Sequence, residues 1–179
     1  MKNDRRTDSF SYYDNCYDCD LEGNKMNTKA RTNNKLIILG KAPVAGKQCI
    51  DAKVDFPDCE VWTVGTHKIE HADRYYEFHG LPISADRPVF RDVSDDVKAV
   101  SSLLPVNNSV SAMLLEAYFE GYRDIEILGC PMIAKDEYQK QKPALAMCIG
   151  FCLGNSKDSI QISWDGAPEL VNYYERYQK

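Results

Sequence analysis

The stretch NNSVSAMLLEAYFEGYRDIEILG, from Asn107 to Gly129, reads as a complete helix-then-strand unit. Val110, Met113, Leu114, Ala117, Tyr118 and Gly121 fall at the spacing of one helical face. Asn108 or Ser109 can accept a backbone N–H at the start, and Gly121 can take the left-handed conformation that ends a helix. Ile125, Ile127 and Leu128 then form a short apolar run that closes on Gly129. A helix followed at once by a buried strand predicts an α/β layer fold. In open α/β sheets ligands lie in the crevice beyond the carboxyl ends of the strands, so that edge is where a site is expected.

Working outward, Leu36-Ile37-Ile38-Leu39 predicts a buried first strand that runs into the loop Gly40 to Lys47. Glu60 to Val64 predicts a second strand ending at Gly65, and Arg74 to Phe78 a third ending at His79-Gly80. Pro88-Val89-Phe90 reads as a short edge strand, and Asp95 to Leu104 as a weaker helix stopped before Pro105. Pro143 is expected to open a helix carrying Leu145, Cys148, Ile149 and Cys152 on one side. Ile160 to Ser163 alternates like a strand, and Glu169 to Lys179 reads as a polar, tyrosine-rich helix. Alternating strands and helices predict a three-layer, Rossmann-like α/β fold over residues 35–179, with a mainly parallel sheet and helices on both faces. Residues 1–34 hold almost no aliphatic side chains and read as a flexible N-terminal arm, where Phe10, Tyr12, Tyr13 and Tyr17 offer sticky points for a protein partner.

The chain has 179 residues, 44% hydrophobic and 27% charged, with a net charge of −5. That charge argues against binding a nucleic-acid backbone, which wants a basic stripe. No apolar run approaches the roughly 18 residues that span a bilayer. The charged start, Met1 to Arg6, is not followed by an apolar segment, so no secretory signal is expected. The seven cysteines are an odd number and are expected as free thiols in a cytoplasm. Cys148 and Cys152 read as small buried hydrophobes. Cys16 and Cys19 have the spacing of half a zinc site, and nothing in the sequence completes it.

Three motifs point to chemistry. Gly40 to Lys47 departs from the phosphate loop of nucleotide hydrolases, because five residues separate its glycines and Gln48 follows the lysine. The dinucleotide fingerprint is absent too, since position 42 is alanine. A loop of small residues at this edge still lets backbone N–H groups approach a phosphate. His67-Lys68-Ile69-Glu70-His71 matches an inverted zinc-protease motif, but it sits between two strands rather than on a helix, so no metal is expected there. Asp73, Glu77 and His79 bracket the third strand and could share the mouth of one pocket, where a histidine beside a carboxylate serves as a general base if the protein is an enzyme.

Several blocks in order resemble a family of small Rossmann-like proteins encoded by tailed bacteriophages. They are Leu39 to Pro43, Phe56 to Trp62, Ala72 to Gly80, Asn108 to Met113, Glu120 to Ile125, Leu128 to Met132 and Glu137 to Pro143. The likeness covers residues 35–165. It implies the fold, a phage source and the cytoplasm of the host, and it carries no assigned activity with it. More distantly, the loop after the first strand is similar to the Gly-x-Gly-Pro-Ser loop of bacterial sialyltransferases and pterin pyrophosphokinase-like proteins, which embraces a nucleotide. Here Ala42 stands for the second glycine, Val44 for the serine, and Gly65 or Thr66 for an expected asparagine. These departures weigh more against a transferase than against a pocket of nucleotide size.

The ligand is therefore expected against Gly40, Lys41, Ala42 and Pro43, against Trp62 and Gly65, and against Asn108, Ser109, Gly129, Met132, Tyr138 and Gln141. No cofactor is expected. The leading expectation is an accessory protein that binds a nucleotide-like small molecule, in one version sequestering a nucleotide immune signal. A nucleotide-sugar-dependent transferase is the alternative, and a virion or assembly component tethered by the arm is the third. A homo-oligomer stays open.

Overall fold

A computed structural model describes residues 35–65, 69–80, 89–133, 135–156 and 159–167; the arm and the C-terminal helix expected from the sequence lie outside these residues. The elements in chain order are β1 (Lys35–Leu39), β2 (Ile50–Asp51), α1 (Ala52–Asp55), β3 (Glu60–Val64), β4 (Ile69–Glu70), β5 (Arg74–Tyr76) and β6 (Val89–Phe90). They continue with α2 (Asp95–Ser101), α3 (Ser109–Phe119), β7 (Asp124–Leu128), α4 (Lys135–Asn155) and β8 (Gln161–Trp164).

Six strands form one sheet in the order β6-β5-β3-β1-β7-β8, and every pairing in it is parallel. Parallel strands buried on both faces need near-continuous apolar runs, which is what Leu36 to Leu39 supplies at the centre. Alternate residues of each strand serve opposite faces. Leu36, Ile38, Trp62, Tyr76, Ile125 and Ile127 face α2, α3 and α4. Ile37, Leu39, Val61 and Tyr75 face the other way, against α1 and a small parallel sheet of β2 and β4. The fold is thus α/β with three layers and a Rossmann-like sheet, helices lying on both faces.

The helix α3 is capped as its sequence predicts. The Asn108 side chain accepts from the N–H of Ser111 at 2.8 Å. At the other end Gly121 has φ of +92°, with Gly121 N–H bonded to the Tyr118 carbonyl at 3.1 Å and Tyr122 N–H to that of Ala117 at 3.0 Å. That pair of bonds is the left-handed glycine stop. The expected one-sided burial is exceeded, because every residue from Val110 to Tyr118 is buried. The helix lies between the sheet, α2 and α4, so its polar side must be satisfied internally. Glu116 does this by accepting from the Ser94 N–H at the start of α2.

Four boundaries differ from the sequence reading. The long helix α4 begins at Lys135 and runs through Pro143, which therefore does not open it. A proline reads as a helix start because its missing N–H is harmless only in the first turn. Here the turns before it are joined to the body of the helix, whose Leu145, Cys148 and Cys152 are fully buried. The third strand ends at Tyr76 rather than Phe78, α2 ends at Ser101, and β8 is Gln161–Trp164. The elements β2, β4 and α1 are too short to leave a periodic signal. No helix among the described residues is long and apolar enough to cross a membrane.

Candidate functional site

The chain adds strands outward from β1 to β6, then crosses back to place β7 and β8 on the other side of β1. The loops after β1 and β7 therefore leave neighbouring strands toward opposite sides, and the gap between them is the topological switch point where such sheets bind ligands. Both loops begin with glycine, and they are stitched together. Gly40 N–H donates to the Leu128 carbonyl at 2.8 Å, and Ala42 N–H to that of Gly129 at 3.0 Å. The strands come so close here that a Cβ on Gly40 would lie 2.3 Å from the Gly129 carbonyl oxygen. Gly129 itself turns with φ of +65°. Its N–H donates to the Asp165 carboxylate at 2.6 Å, and Cys130 N–H donates to the same group at 3.3 Å. Burial raises the Asp165 pKa above the ordinary carboxylate value, while these N–H donors oppose that shift.

Above this floor is a cavity of about 550 Å³, of the size that small-molecule sites occupy. Its apolar wall includes Val64, Tyr76, Phe78, Val110, Met132 and Ile133. Met132 is buried with φ of +47°, a left-handed conformation that costs a non-glycine residue about 1 kcal/mol or more.

The polar wall comes from three elements. Lys41 follows β1, and its stem crosses Gly65, where a Cβ would lie 2.7 Å from Lys41 Cε. Gly65 turns with φ of +67° at the end of β3, and that conformation favours glycine, whereas the flexible lysine stem could move aside for a Cβ. The α3 amino end contributes Asn107, Asn108 and Ser109. Ser109 and Val110 N–H find no acceptor among the described residues, as first-turn N–H groups do not within a helix. Finally, Glu77 and His79 follow β5. Glu77 is buried, and one of its oxygens accepts from the His79 N–H at 2.6 Å.

Most of the sequence-derived set converges here. Gly40, Lys41, Ala42, Gly65, Asn108, Ser109, Gly129, Met132 and Gln141 line the cavity, as do Glu77 and His79. Pro43 does not. Trp62 belongs to the core instead, fully buried and facing the helices, with its Nε1–H donating to Glu60 at 2.8 Å. Asp73 is separated from Glu77 and His79. It precedes β5 at the opposite edge of the sheet, accepting from Val61 N–H at 2.9 Å and from Lys53 Nζ at 2.7 Å. Its role is to brace the start of β3, so the three residues do not share one mouth. The Tyr138 side chain lies outside the described residues. The sequence reading missed Asn107, the apolar wall residues Val64, Tyr76, Phe78, Val110 and Ile133, and the loop residues Cys130 and Pro131. Of these Asn107 carried a signal as the neighbour of the cap, and Cys130 and Pro131 as neighbours of Gly129.

Of the zinc-protease-like motif, His67 lies outside the described residues, as do Cys16 and Cys19. Glu70 and His71 sit on and after β4, and parallel pairing of β2 with β4 brings Asp51 beside them. His71 Nδ1 is 3.1 Å from Asp51 Oδ1, and that hydrogen bond is the largest influence holding the Asp51 pKa down. Ligand atoms of the three residues lie within 4.8 Å of one another. They form a hydrogen-bonded His–Asp pair with a neighbouring carboxylate, on and beside short strands rather than on the helix that the protease motif needs.

Cys130 borders the cavity yet is buried, and burial pushes its thiol far above the ordinary range. It is wall rather than nucleophile, since the thiolate is the reactive form. Burial also raises Cys152, and Cys148 to about 11. Cys49 is exposed. Limited alkylation of the native protein with iodoacetamide is therefore expected to label Cys49 well before Cys130, Cys148 and Cys152, as read by peptide mass spectrometry. Equal labelling of Cys130 would show that the floor of the site opens.

No protein-family model, no curated protein and no solved structure matches this chain.

Proposed function

We propose that this chain is a phage accessory protein that binds a nucleotide-like small molecule in the host cytoplasm, with sequestration of a nucleotide signal as its use. The observation that carries the reading is the cavity at the switch point, bordered on an apolar body by the Lys41 ammonium and the amino end of α3, both without a partner among the described residues. Helix N–H groups and a lysine attract phosphate. The wall of Val64, Tyr76, Phe78 and Met132 suits the flat, poorly hydrated face of a base. A protein that only sequesters needs this tight, preorganised pocket and no reacting group.

Calorimetry with nucleoside 5′-monophosphates and the matching nucleosides tests the reading. The phosphorylated forms are expected to bind more tightly. Lys41→Ala should weaken them about tenfold, the order expected when one charge-assisted contact is lost, and leave the nucleosides unchanged. Absence of any nucleotide binding at millimolar concentration overturns the reading.

A nucleotide-dependent transferase is the second reading, and the exposed His79 at the mouth of the cavity favours it. As a general base it would contribute about 10²–10⁴ in turnover. Incubation with nucleotides and nucleotide sugars separates the two. Intact ligand recovered after denaturation supports sequestration, and a transformed product lost in His79→Ala supports the enzyme.

A further inference from the structure

We infer that Glu77 is the residue that sets ligand specificity, its free carboxylate oxygen accepting a hydrogen bond from a sugar hydroxyl of a ribonucleotide. The inference deepens the binding reading above and rests on it. Glu77 is 5% exposed, yet it borders the cavity just beyond the end of β5. One oxygen is held by the His79 N–H at 2.6 Å, and the other has no hydrogen-bond partner among the described residues. No cation pairs with it among those residues either. A carboxylate buried without a counter-charge is costly, and the cost is met only where donors complete its shell. One backbone N–H is an incomplete shell, so the remaining oxygen is set to take a donor from whatever fills the cavity.

The geometry also narrows the donor. A guanine edge offers two parallel donors and needs both carboxylate oxygens. Here the His79 N–H already occupies one side of one oxygen, so the other oxygen is the readier acceptor, and a single hydroxyl fills it. The remaining polar groups agree with a ribonucleotide lying across the cavity. Lys41 and the Ser109 and Val110 N–H groups suit the phosphate, and Glu77, just past the end of β5, suits the sugar. The sequence pattern offers Glu77 as a partner of a catalytic histidine. Its burial makes it a reader of the ligand instead.

The test uses the full chain, with calorimetric affinities for AMP and UMP and for their 2′-deoxy and 3′-deoxy forms. One of the two deoxy forms of each nucleotide is expected to bind roughly 10–100-fold more weakly than its parent, the loss that follows when a buried polar group is left unpaired. In Glu77→Gln, which keeps the shape, that difference should fall to less than threefold. Should the variant fail to fold by circular dichroism, the comparison within the wild type still decides, since it needs no substitution. Equal affinity for ribo and both deoxy forms in the wild type overturns the role of Glu77 while leaving nucleotide binding intact. An unchanged ribo preference in a folded Glu77→Gln does the same. Failure of every nucleotide to bind overturns the binding reading itself.

Discussion

Gly40→Ala is expected to lower the melting temperature by about 6–12 °C, an effect on the fold before any effect on a ligand. A loop glycine at the edge of such a sheet invites the view that it makes room for a phosphate. The room is taken by the protein itself. A Cβ at this position would lie 2.3 Å from both the Gly129 carbonyl oxygen and Cys130 Sγ. The first of these is backbone, so β1 and β7 must part, and with them the bonds from Gly40 to Leu128 and from Ala42 to Gly129. Overpacking of this kind costs about 3 kcal/mol or more, and for a domain of this size each kcal/mol is worth about 2–4 °C. Gly150→Ala in α4 is the control, because its Cβ would meet nothing within 4 Å. It is expected to stabilise the helix by about 0.5–1 kcal/mol. Thermal melts of the two variants check both signs, and a Gly40→Ala protein melting within 2 °C of wild type would show that the two loops are not rigidly joined.

Trp62→Ala is expected to be more damaging, at about 3–5 kcal/mol, the usual loss for a large aromatic cut from a core. Trp62 is fully buried, with ring centroids 5.5 Å from Tyr76 and 5.3 Å from Tyr122. The guanidinium of Arg74 lies 4.3 Å from its ring centroid and pairs with Glu120 at 2.5 Å. Truncation would thus leave a cavity beside a half-buried ion pair as well as remove apolar contact. Trp62→Phe keeps a six-membered aromatic ring but gives up the pyrrole part of the indole and the hydrogen bond to Glu60, so about 1–3 kcal/mol is expected. Denaturant unfolding distinguishes the two. The phenylalanine variant should bind nucleotide within twofold of wild type, and a large loss of affinity there would return Trp62 to the ligand site.

These two residues mark where the sequence could and could not be read. Gly40 and Gly129 stood out because each closes a short, mainly apolar run, and the structure does place both at the switch point. What a run cannot disclose is which neighbour its terminal glycine must clear. Trp62 stood out as the large aromatic of a strand that ends near the site, but a strand sends alternate side chains to opposite faces. The register Ile38 with Trp62 sends it to the helix side. Asp73 and Glu77 are separated for a related reason. Four residues apart on an extended chain is about 13 Å, which puts one at each edge of the sheet, and only Glu77 reaches the cavity.

Local signals determined the α3–β7 unit, its asparagine cap and glycine stop, the buried central strand, and hence a parallel α/β sheet, because those features depend on periodicity and backbone conformation within a few residues. Tertiary structure alone decided that α3 is buried on all sides, that α4 continues through Pro143, and that Lys41, Asn108 and Glu77 border one cavity. Those outcomes depend on strand order and on which faces meet, and strand order is set by the burial of many distant side chains at once rather than by any single stretch of the chain.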